Sequence, residues 1–341
     1  MQQKTIDVAV VGATGAVGQE MLKVLEQRHF PVGRVLPLAS SRSAGSRVRF
    51  AGEELEVHEL RADSFAGIRL ALFSAGGSIS QKFAPVAADA GAIVVDNTSA
   101  FRMEPDCPLV VPEVNGDEVR RAPRGIIANP NCSTIQMVVA LWPLHRAAGI
   151  RRIVVSTYQA VGGAGARAME ELRAQARAWA AGEALPAPRI FPHPILFDCI
   201  PQIGNFTERG YSVEEEKMMN ETRKIFGEPD LRVTATTVRV PVMVGHSEAV
   251  NIELERPLSA AEARRLLESA PGVQLVDDPG AHRYPLARMA AGTDPVYVGR
   301  IREDRSVEHG LDLWVVSDNL RKGAALNAVQ IGELLLEKGL L

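Results

Sequence analysis

The sequence is poor in cysteine, in aromatic residues and in net charge. Only Cys107, Cys132 and Cys199 occur in 341 residues. They are too few and too scattered for a disulfide framework, and no CxxC pair suggests a metal site. Aromatic residues make up 5%, which argues against aromatic base-stacking platforms. Lys plus Arg number 38 against 41 Asp plus Glu, for a formal net charge of −3. That balance gives no sign of a broadly basic nucleic-acid binder, although a local basic patch is left open. No apolar run approaches about 18 residues, which argues against a membrane span. Lys4 and Asp7 fall in the first strand-like run, which does not read as a signal peptide. A reducing cytoplasm is the simplest setting, and a single cysteine is then available for chemistry.

What is present reads as a soluble globular chain. Hydrophobic residues are 46% and charged residues 23%, both ordinary values. The length suggests two domains and a core that needs no staples. No internal repeat or low-complexity segment is visible.

The first part alternates strand-like and helix-like runs. Ile6 to Val11, Val35 to Ala39, Leu70 to Phe73 and Ile93 to Val95 are β-branched or apolar, and Gln19 to Gln27 has helical spacing. This alternation predicts an α/β, Rossmann-like domain with a parallel sheet. Farther on, Ile153 to Thr157, Val233 to Val240 and Ala249 to Leu254 read as longer strands. Ala166 to Ala181 and Val213 to Phe226 read as helices. They predict an α+β domain with a mostly antiparallel sheet. The Pro-rich stretch Leu185 to Pro201 reads as an irregular insertion. The Ala- and Leu-rich run Gly323 to Lys338 reads as a helix returning to the first domain. The expected division is therefore 1–130 plus 320–341, and 131–319.

Gly12-Ala-Thr14-Gly15-Ala16-Val17-Gly18 follows a strand and opens a helix. Glycine permits a tight turn and close approach of a pyrophosphate, and the helix start offers N–H donors. The spacing is GxxGxxG rather than GxGxxG, so a ligand-free turn remains an alternative. An NAD site usually places an acid about 20 residues on. This chain instead has Ser40-Ser41-Arg42-Ser43. Hydroxyls and a guanidinium suit a 2′-phosphate, which favours NADP. A solvated polar turn is the competing reading of that segment alone.

Asn129-Pro130-Asn131-Cys132-Ser-Thr precedes an apolar run. Pro130 disfavours helix at Asn129, and Asn131 suits an N-cap, so Cys132 falls in the first helical turn. A helix start lowers a thiol pKa, which makes Cys132 the candidate nucleophile. Its candidate partner is His246, one of seven histidines. Arg239 and His246 are seven apart, which puts them on opposite faces of an unbroken strand. Pro241 and Gly245 make such a strand doubtful, so spacing does not decide whether they converge. Ser212 and Glu215 form a capping-box pattern, and Glu214 and Lys217 then share a helix face. By spacing alone that pair reads first as a solvated ion pair.

Together these runs resemble the bacterial aspartate-β-semialdehyde dehydrogenase family over essentially the full chain. The resemblance rests on Gly12 to Gly18, Asn97-Thr-Ser-Ala-Phe-Arg102, Val111-Pro-Glu-Val-Asn115, Asn129 to Thr134, Thr157-Tyr-Gln159-Ala160, Arg239-Val-Pro-Val242, Gly245-His-Ser-Glu248 and Ser317-Asp-Asn319-Leu320. It implies NADP-dependent interconversion of L-4-aspartyl phosphate and L-aspartate 4-semialdehyde. The reductive direction leads toward lysine, threonine, methionine and diaminopimelate. It also implies a homodimer and no metal.

By the same resemblance, Cys132 is the nucleophile, His246 the acid/base and Gln159 the residue that orients the acyl intermediate. Arg239 binds the substrate carboxylate and Glu214 its amino group. Arg102, Lys217 and Asn131 bind phosphate. Gly12, Thr14, Gly15, Ala16, Val17, Gly18, Ser40, Arg42, Ser43, Gly162, Gly163 and Asn319 hold the cofactor. One departure is visible: the family usually reads Gln-Ala-Val-Ser-Gly-Ala-Gly, where this chain has Gly162. N-acetyl-γ-glutamyl-phosphate reductase shares the chemistry, but its cysteine motif continues Gly-Cys-Tyr. Glyceraldehyde-3-phosphate dehydrogenase fits the Cys132 region less well. A non-catalytic dinucleotide-binding paralogue is the alternative from another class, against which Cys132, Gln159, Arg239 and His246 all stand intact.

Overall fold

The computed structural model describes residues 5–341, so Lys4 lies outside the described residues. The chain forms two compact units. One runs through Asn131 and resumes at Ala324–Leu341, and the other is Cys132–Gly323.

The first unit holds strands β1 (Ile6–Val11), β2 (Val32–Ala39), β3 (Arg47–Phe50), β4 (Glu53–Glu56), β5 (His58–Glu59), β6 (Leu70–Phe73), β7 (Ile93–Asp96) and β8 (Ile126–Ala128), with helices α1 (Ala16–Gln27), α2 (Gly77–Asp89) and α3 (Pro112–Asn115). Six strands form a sheet in the order β5-β2-β1-β6-β7-β8, and every pairing in it is parallel. β3 and β4 form a separate antiparallel hairpin. β1 and β6 are buried almost throughout, which is why they read as continuous apolar runs rather than alternating ones. The strand order reverses at β1, and the glycine turn lies at its C-terminal end. Open α/β sheets bind ligands at that kind of place.

The second unit holds α4 (Cys132–Ala148), β9 (Ile150–Ala160), α5 (Ala166–Ala180), α6 (Val213–Phe226), β10 (Arg232–Val240), β11 (His246–Leu254), α7 (Ala260–Glu268), β12 (Val273–Leu275), α8 (Ala287–Ala290), β13 (Val296–Asp304) and β14 (Gly310–Ser317). Its six-stranded sheet runs β10-β9-β11-β14-β13-β12. The three inner pairings are antiparallel and the two outer ones parallel, so the sheet is mixed. Alternate residues of β10, among them Val233, Ala235, Thr237 and Arg239, are buried, the period-two pattern of a strand with one covered face. α6 begins at the expected capping box: the Ser212 hydroxyl accepts the Glu215 N–H, and the Glu215 carboxylate accepts the Ser212 N–H. It ends at Gly227, whose φ of 70° suits glycine.

The Pro-rich insertion is irregular, yet it is held in place. The buried Gln175 side chain accepts the N–H groups of Ile195 (3.0 Å) and Leu196 (2.9 Å). Ile195 and Ile200 pack with Leu172. The C-terminal run differs from the simple helix expected. Arg321–Ala325 forms a π-helical turn, and a regular helix α9 follows over Leu326–Glu337. α9 belongs to the first unit, where Glu333 pairs with Arg28 through two bonds of 2.6 and 2.7 Å. No helix among the described residues is long and apolar enough to cross a membrane.

Candidate active site

The first unit carries the glycine turn. Gly12 has a φ of 90°, and a Cβ there would lie 2.7 Å from the Ser74 carbonyl oxygen. A Cβ on Gly18 would lie 2.2 Å from the Gly12 carbonyl oxygen. Both positions therefore demand glycine: the first for its positive φ and its approach to Ser74, the second for the close packing of α1 on the turn itself. Gly15 precedes α1 directly, and Ala16, Val17 and Gly18 form its first turn, where main-chain N–H groups lack helical partners. This cradle suits a pyrophosphate. Ser40, Arg42 and Ser43 lie in the turn after β2, the neighbour of β1. The Ser40 carbonyl closes that turn by accepting the N–H groups of Ser43 and Ala44. Arg42 is exposed there.

Arg102 also belongs to the first unit. It is buried and donates to the main-chain carbonyls of Asn129 (2.9 Å) and Asn97 (3.0 Å). The loop that carries it is fixed by Asp96, whose carboxylate accepts from Ser80, from the Thr98 hydroxyl and from the Thr98 N–H. Burial raises the Asp96 pKa, and those hydrogen bonds offset part of the rise. Asn129 and Asn327 extend the support. The Asn129 amide donates to Asn97, and the Asn327 amide donates to Asn129. Asn131 is buried in the segment between β8 and α4.

The second unit brings the remaining polar candidates together. Gln159 and Arg239 stand side by side in the register of the parallel β9–β10 pair, and both are buried. The main chain of Ala160, next along β9, serves two neighbours. Its N–H donates to His246 Nδ1 at 3.0 Å, and its carbonyl accepts from Arg239 Nη1 at 2.7 Å. Glu214 on α6 accepts from the Gln159 amide at 3.2 Å and from Lys217 at 3.2 Å. The Glu214–Lys217 pair is thus more than a solvated ion pair, because Glu214 is buried against Gln159.

Burial pushes the Arg239 guanidinium down from its usual pKa, while the nearby Cys132 and Glu214 act the other way. Cys132 is the first residue of α4 and is half-buried. A positive guanidinium and a helix start both favour a thiolate. His246 is fully buried, and its pKa is held well below the usual range, first by burial and then by the Arg239 charge. Its Nε2 makes no protein hydrogen bond. Because Nδ1 accepts an amide N–H, the single proton of the neutral ring belongs on Nε2.

Two glycines border these groups. A Cβ on Gly163 would lie 3.0 Å from Arg239 Nη1 and 3.1 Å from His246 Nε2, so any side chain there would crowd both donors. A Cβ on Gly162 would lie 2.7 Å from the Met243 carbonyl oxygen, whose partner is the Gly162 N–H at 3.0 Å. Asn319 accepts the Gly245 N–H through Oδ1 at 2.9 Å, and its buried Nδ2 makes no hydrogen bond.

Sequence reasoning gave no role to a layer of polar groups beneath this site. Gln136 lies one helical turn after Cys132. Its oxygen accepts from the Ser317 hydroxyl at 2.7 Å, and its amide donates to the His246 carbonyl at 3.4 Å. Glu248, two residues after His246 on β11, is fully buried and neither carboxylate oxygen has a hydrogen-bond partner. Burial pushes its pKa well above the usual carboxylate range, and the nearby Gln136 offsets part of that. The available signal was the acid Glu248 standing in phase with the buried apolar residues Val250, Ile252 and Leu254 of β11. Among the described residues no group of three or more His, Cys, Asp or Glu side chains is arranged to hold a metal.

Comparison with known proteins agrees in both units. Residues 7–122 match the family model for the NAD binding domain of semialdehyde dehydrogenase, and residues 141–322 match its dimerisation domain. The chain is 55% identical to the aspartate-semialdehyde dehydrogenase of Aquifex aeolicus, over 98% of this chain and 99% of that one. It is 54% identical to the Bacillus subtilis enzyme of the same name, over 97% of each. The crystal structure of aspartate semialdehyde dehydrogenase II from Vibrio cholerae, complexed with ASA, superposes with a TM-score of 0.95 at 48% identity. That match covers 98% of this chain and 99% of that one.

Proposed function

The chain belongs to the aspartate-semialdehyde dehydrogenase family, and from that premise we propose that it reduces L-4-aspartyl phosphate to L-aspartate 4-semialdehyde with NADPH, reversibly, through a thioester on Cys132. The observation that carries this reading is the Ala160 main chain, which holds His246 on its N–H and Arg239 on its carbonyl, with Arg239 electrostatically coupled to Cys132.

In this reading the Cys132 thiolate attacks the acyl carbon, the carbon–oxygen bond to phosphate breaks, and phosphate departs, taking up from solvent the one proton that the reduction consumes. The dihydronicotinamide, when bound, supplies hydride to the thioester carbon. The carbon–sulfur bond of the resulting hemithioacetal then breaks, giving aldehyde and the thiolate again. The sulfur starts and finishes as thiolate, so the cycle needs no base to deprotonate it. What it does need is a donor toward the oxyanion formed in each tetrahedral stage. The Nε2–H of His246 meets that need, which narrows the acid/base role expected from the resemblance to donation. Division of one difficult transfer into two easier ones is the gain from covalent catalysis.

For the substrate, Arg239 offers the α-carboxylate a paired set of N–H donors, and Glu214 offers its amino group a carboxylate. Gln159, tied to Glu214, orients the acyl group. Arg102 with Asn131, and separately Lys217, are the proposed phosphate ligands. The glycine cradle fits a dinucleotide, and Gly162, Gly163 and Asn319 are proposed for its nicotinamide end. The preference for NADP rests on Ser40, Arg42 and Ser43 in place of an acid. The dimerisation-domain match supports a homodimer. The reductive direction would feed amino-acid biosynthesis in the cytoplasm.

The test is Cys132→Ser assayed in both directions. We expect turnover to fall by about four orders of magnitude or more while NADPH still binds. Denaturing mass spectrometry after mixing wild type with aspartate semialdehyde and excess NADP, with phosphate left out so that the thioester is not discharged, should show an acyl adduct on Cys132. Turnover near wild type in Cys132→Ser, with no adduct, rejects the reading.

A further inference from the structure

Resting on Cys132 as nucleophile, we propose that Gly323 is a positioning residue for its sulfur, acting by bringing a π-helical turn of main chain against the cysteine. A Cβ on Gly323 would lie 2.8 Å from Cys132 Cβ, 3.2 Å from its Cα and 3.6 Å from its carbonyl oxygen. No other residue type fits there without a shift of backbone or nucleophile.

The reason such a wall is needed follows from where Cys132 stands. Inside a helix, the preceding turn restricts which χ1 values a side chain adopts. Cys132 opens α4, so no preceding turn performs that task. The Gly323 main chain occupies the space beside Cys132 Cβ instead and removes directions from the thiol. The direction that matters is toward Arg239, whose charge is coupled to Cys132.

The wall is itself anchored. Asp318 accepts the N–H groups of Leu320 (2.8 Å) and Arg321 (3.1 Å) through one carboxylate oxygen and that of Gly292 (2.7 Å) through the other. Its main-chain carbonyl accepts the Gly323 N–H at 3.2 Å. Arg321, which opens the π-turn, donates twice to Asp294, at 2.8 and 2.6 Å. π-Turns are uncommon and frequently mark functional sites. Here the wider turn carries Gly323 to the nucleophile.

The experiment is iodoacetamide alkylation of Gly323→Ala, followed site by site by mass spectrometry across a pH series. The exposed Cys199 is the internal standard. We expect Cys132 alkylation at neutral pH to slow about tenfold, with its pH midpoint moved upward as the sulfur leaves Arg239, and Cys199 unchanged. Turnover should fall in parallel and Tm should drop by a few degrees, as at any overpacked site, while NADPH affinity stays near wild type. A folded Gly323→Ala with an unaltered Cys132 profile overturns the proposal. If that variant does not fold, Asp294→Asn, which weakens the anchor from the partly exposed side, should shift the profile in the same direction by less; no shift there overturns the proposal equally. Cys132→Ser separates the two ideas. Retained turnover in that variant refutes the nucleophile, whereas alkylation of Cys132 reports on Gly323 without any turnover.

Discussion

His246 is fixed to Ala160 by a 3.0 Å hydrogen bond in which the imidazole Nδ1 is the acceptor. That one bond sets what the ring can do. Its proton belongs on Nε2, the buried nitrogen that makes no protein hydrogen bond and faces the bare Gly163 main chain. The ring is neutral because burial and the Arg239 charge both oppose protonation. Asn, which donates through a side-chain amide, should therefore replace His better than Ala does. We expect His246→Ala to lose about 10²–10³-fold in kcat and His246→Asn to recover roughly a tenth or more of wild-type activity. Equal losses in the two variants would show that the ring must take up and release a proton.

Glu248 makes a separate, pH-dependent prediction about stability. Its pKa is pushed well above the ordinary value of 4.5 by burial. Between that ordinary value and the raised one, the folded chain keeps a proton that the unfolded chain has released. The unfolded state thus binds fewer protons, and stability falls as pH rises through that window. Glu248→Gln removes the titration and keeps the shape. Its Tm should exceed wild type increasingly as pH rises above about 5. Parallel melting curves across that range would contradict a neutral buried acid at this position.

Much of this was legible from local signals. The burial of β1 and β6 on both faces left continuous apolar runs, and the Ser212–Glu215 box marks the start of α6. The convergence of Arg239 and His246 was not legible, for a topological reason. Arg239 lies near the end of β10 and His246 begins β11, yet β9 is inserted between those strands in the sheet. Both side chains reach the Ala160 main chain from the strands that flank β9, and no spacing along the chain encodes that third strand. Gln136 was silent for another reason: an uncharged amide in an apolar helix carries no signal until its partners, Ser317 and the His246 carbonyl, are in place. The helix expected from Gly323 instead begins with a π-turn, because composition reports helix formers and not a close approach to Cys132.

The proposed preference for NADP is open to direct measurement. Arg42 is exposed in a turn closed by the Ser40 carbonyl, so its replacement should leave the fold intact. A guanidinium facing a phosphate contributes charge-assisted hydrogen bonds that a ribose hydroxyl cannot use equally. Arg42→Ser should therefore raise the NADPH Kd about tenfold or more and change the NADH Kd by less than about twofold. Equal effects on the two cofactors would remove Arg42 from the 2′-phosphate site.

Gly162 stands where the resemblance leads one to expect serine, and the structure gives that departure a steric meaning. The Gly162 N–H donates to the Met243 carbonyl at 3.0 Å, and a Cβ on Gly162 would lie 2.7 Å from that same oxygen. The turn over Val161–Ala164 has closed to a distance that only glycine tolerates, and Val161 repeats the attachment through its N–H to the Val242 carbonyl at 2.8 Å. Restoring serine must push the turn away from Met243 before its hydroxyl can reach any partner. We expect Gly162→Ser to lower Tm by several degrees, in keeping with about 1–3 kcal/mol of overpacking. NADPH affinity should not improve, because Gly163 moves with the turn relative to Arg239 and His246, which belong to β10 and β11. A variant with unchanged Tm and tighter NADPH binding would show that the turn opens freely, and that the missing hydroxyl alone separates this chain from the usual pattern.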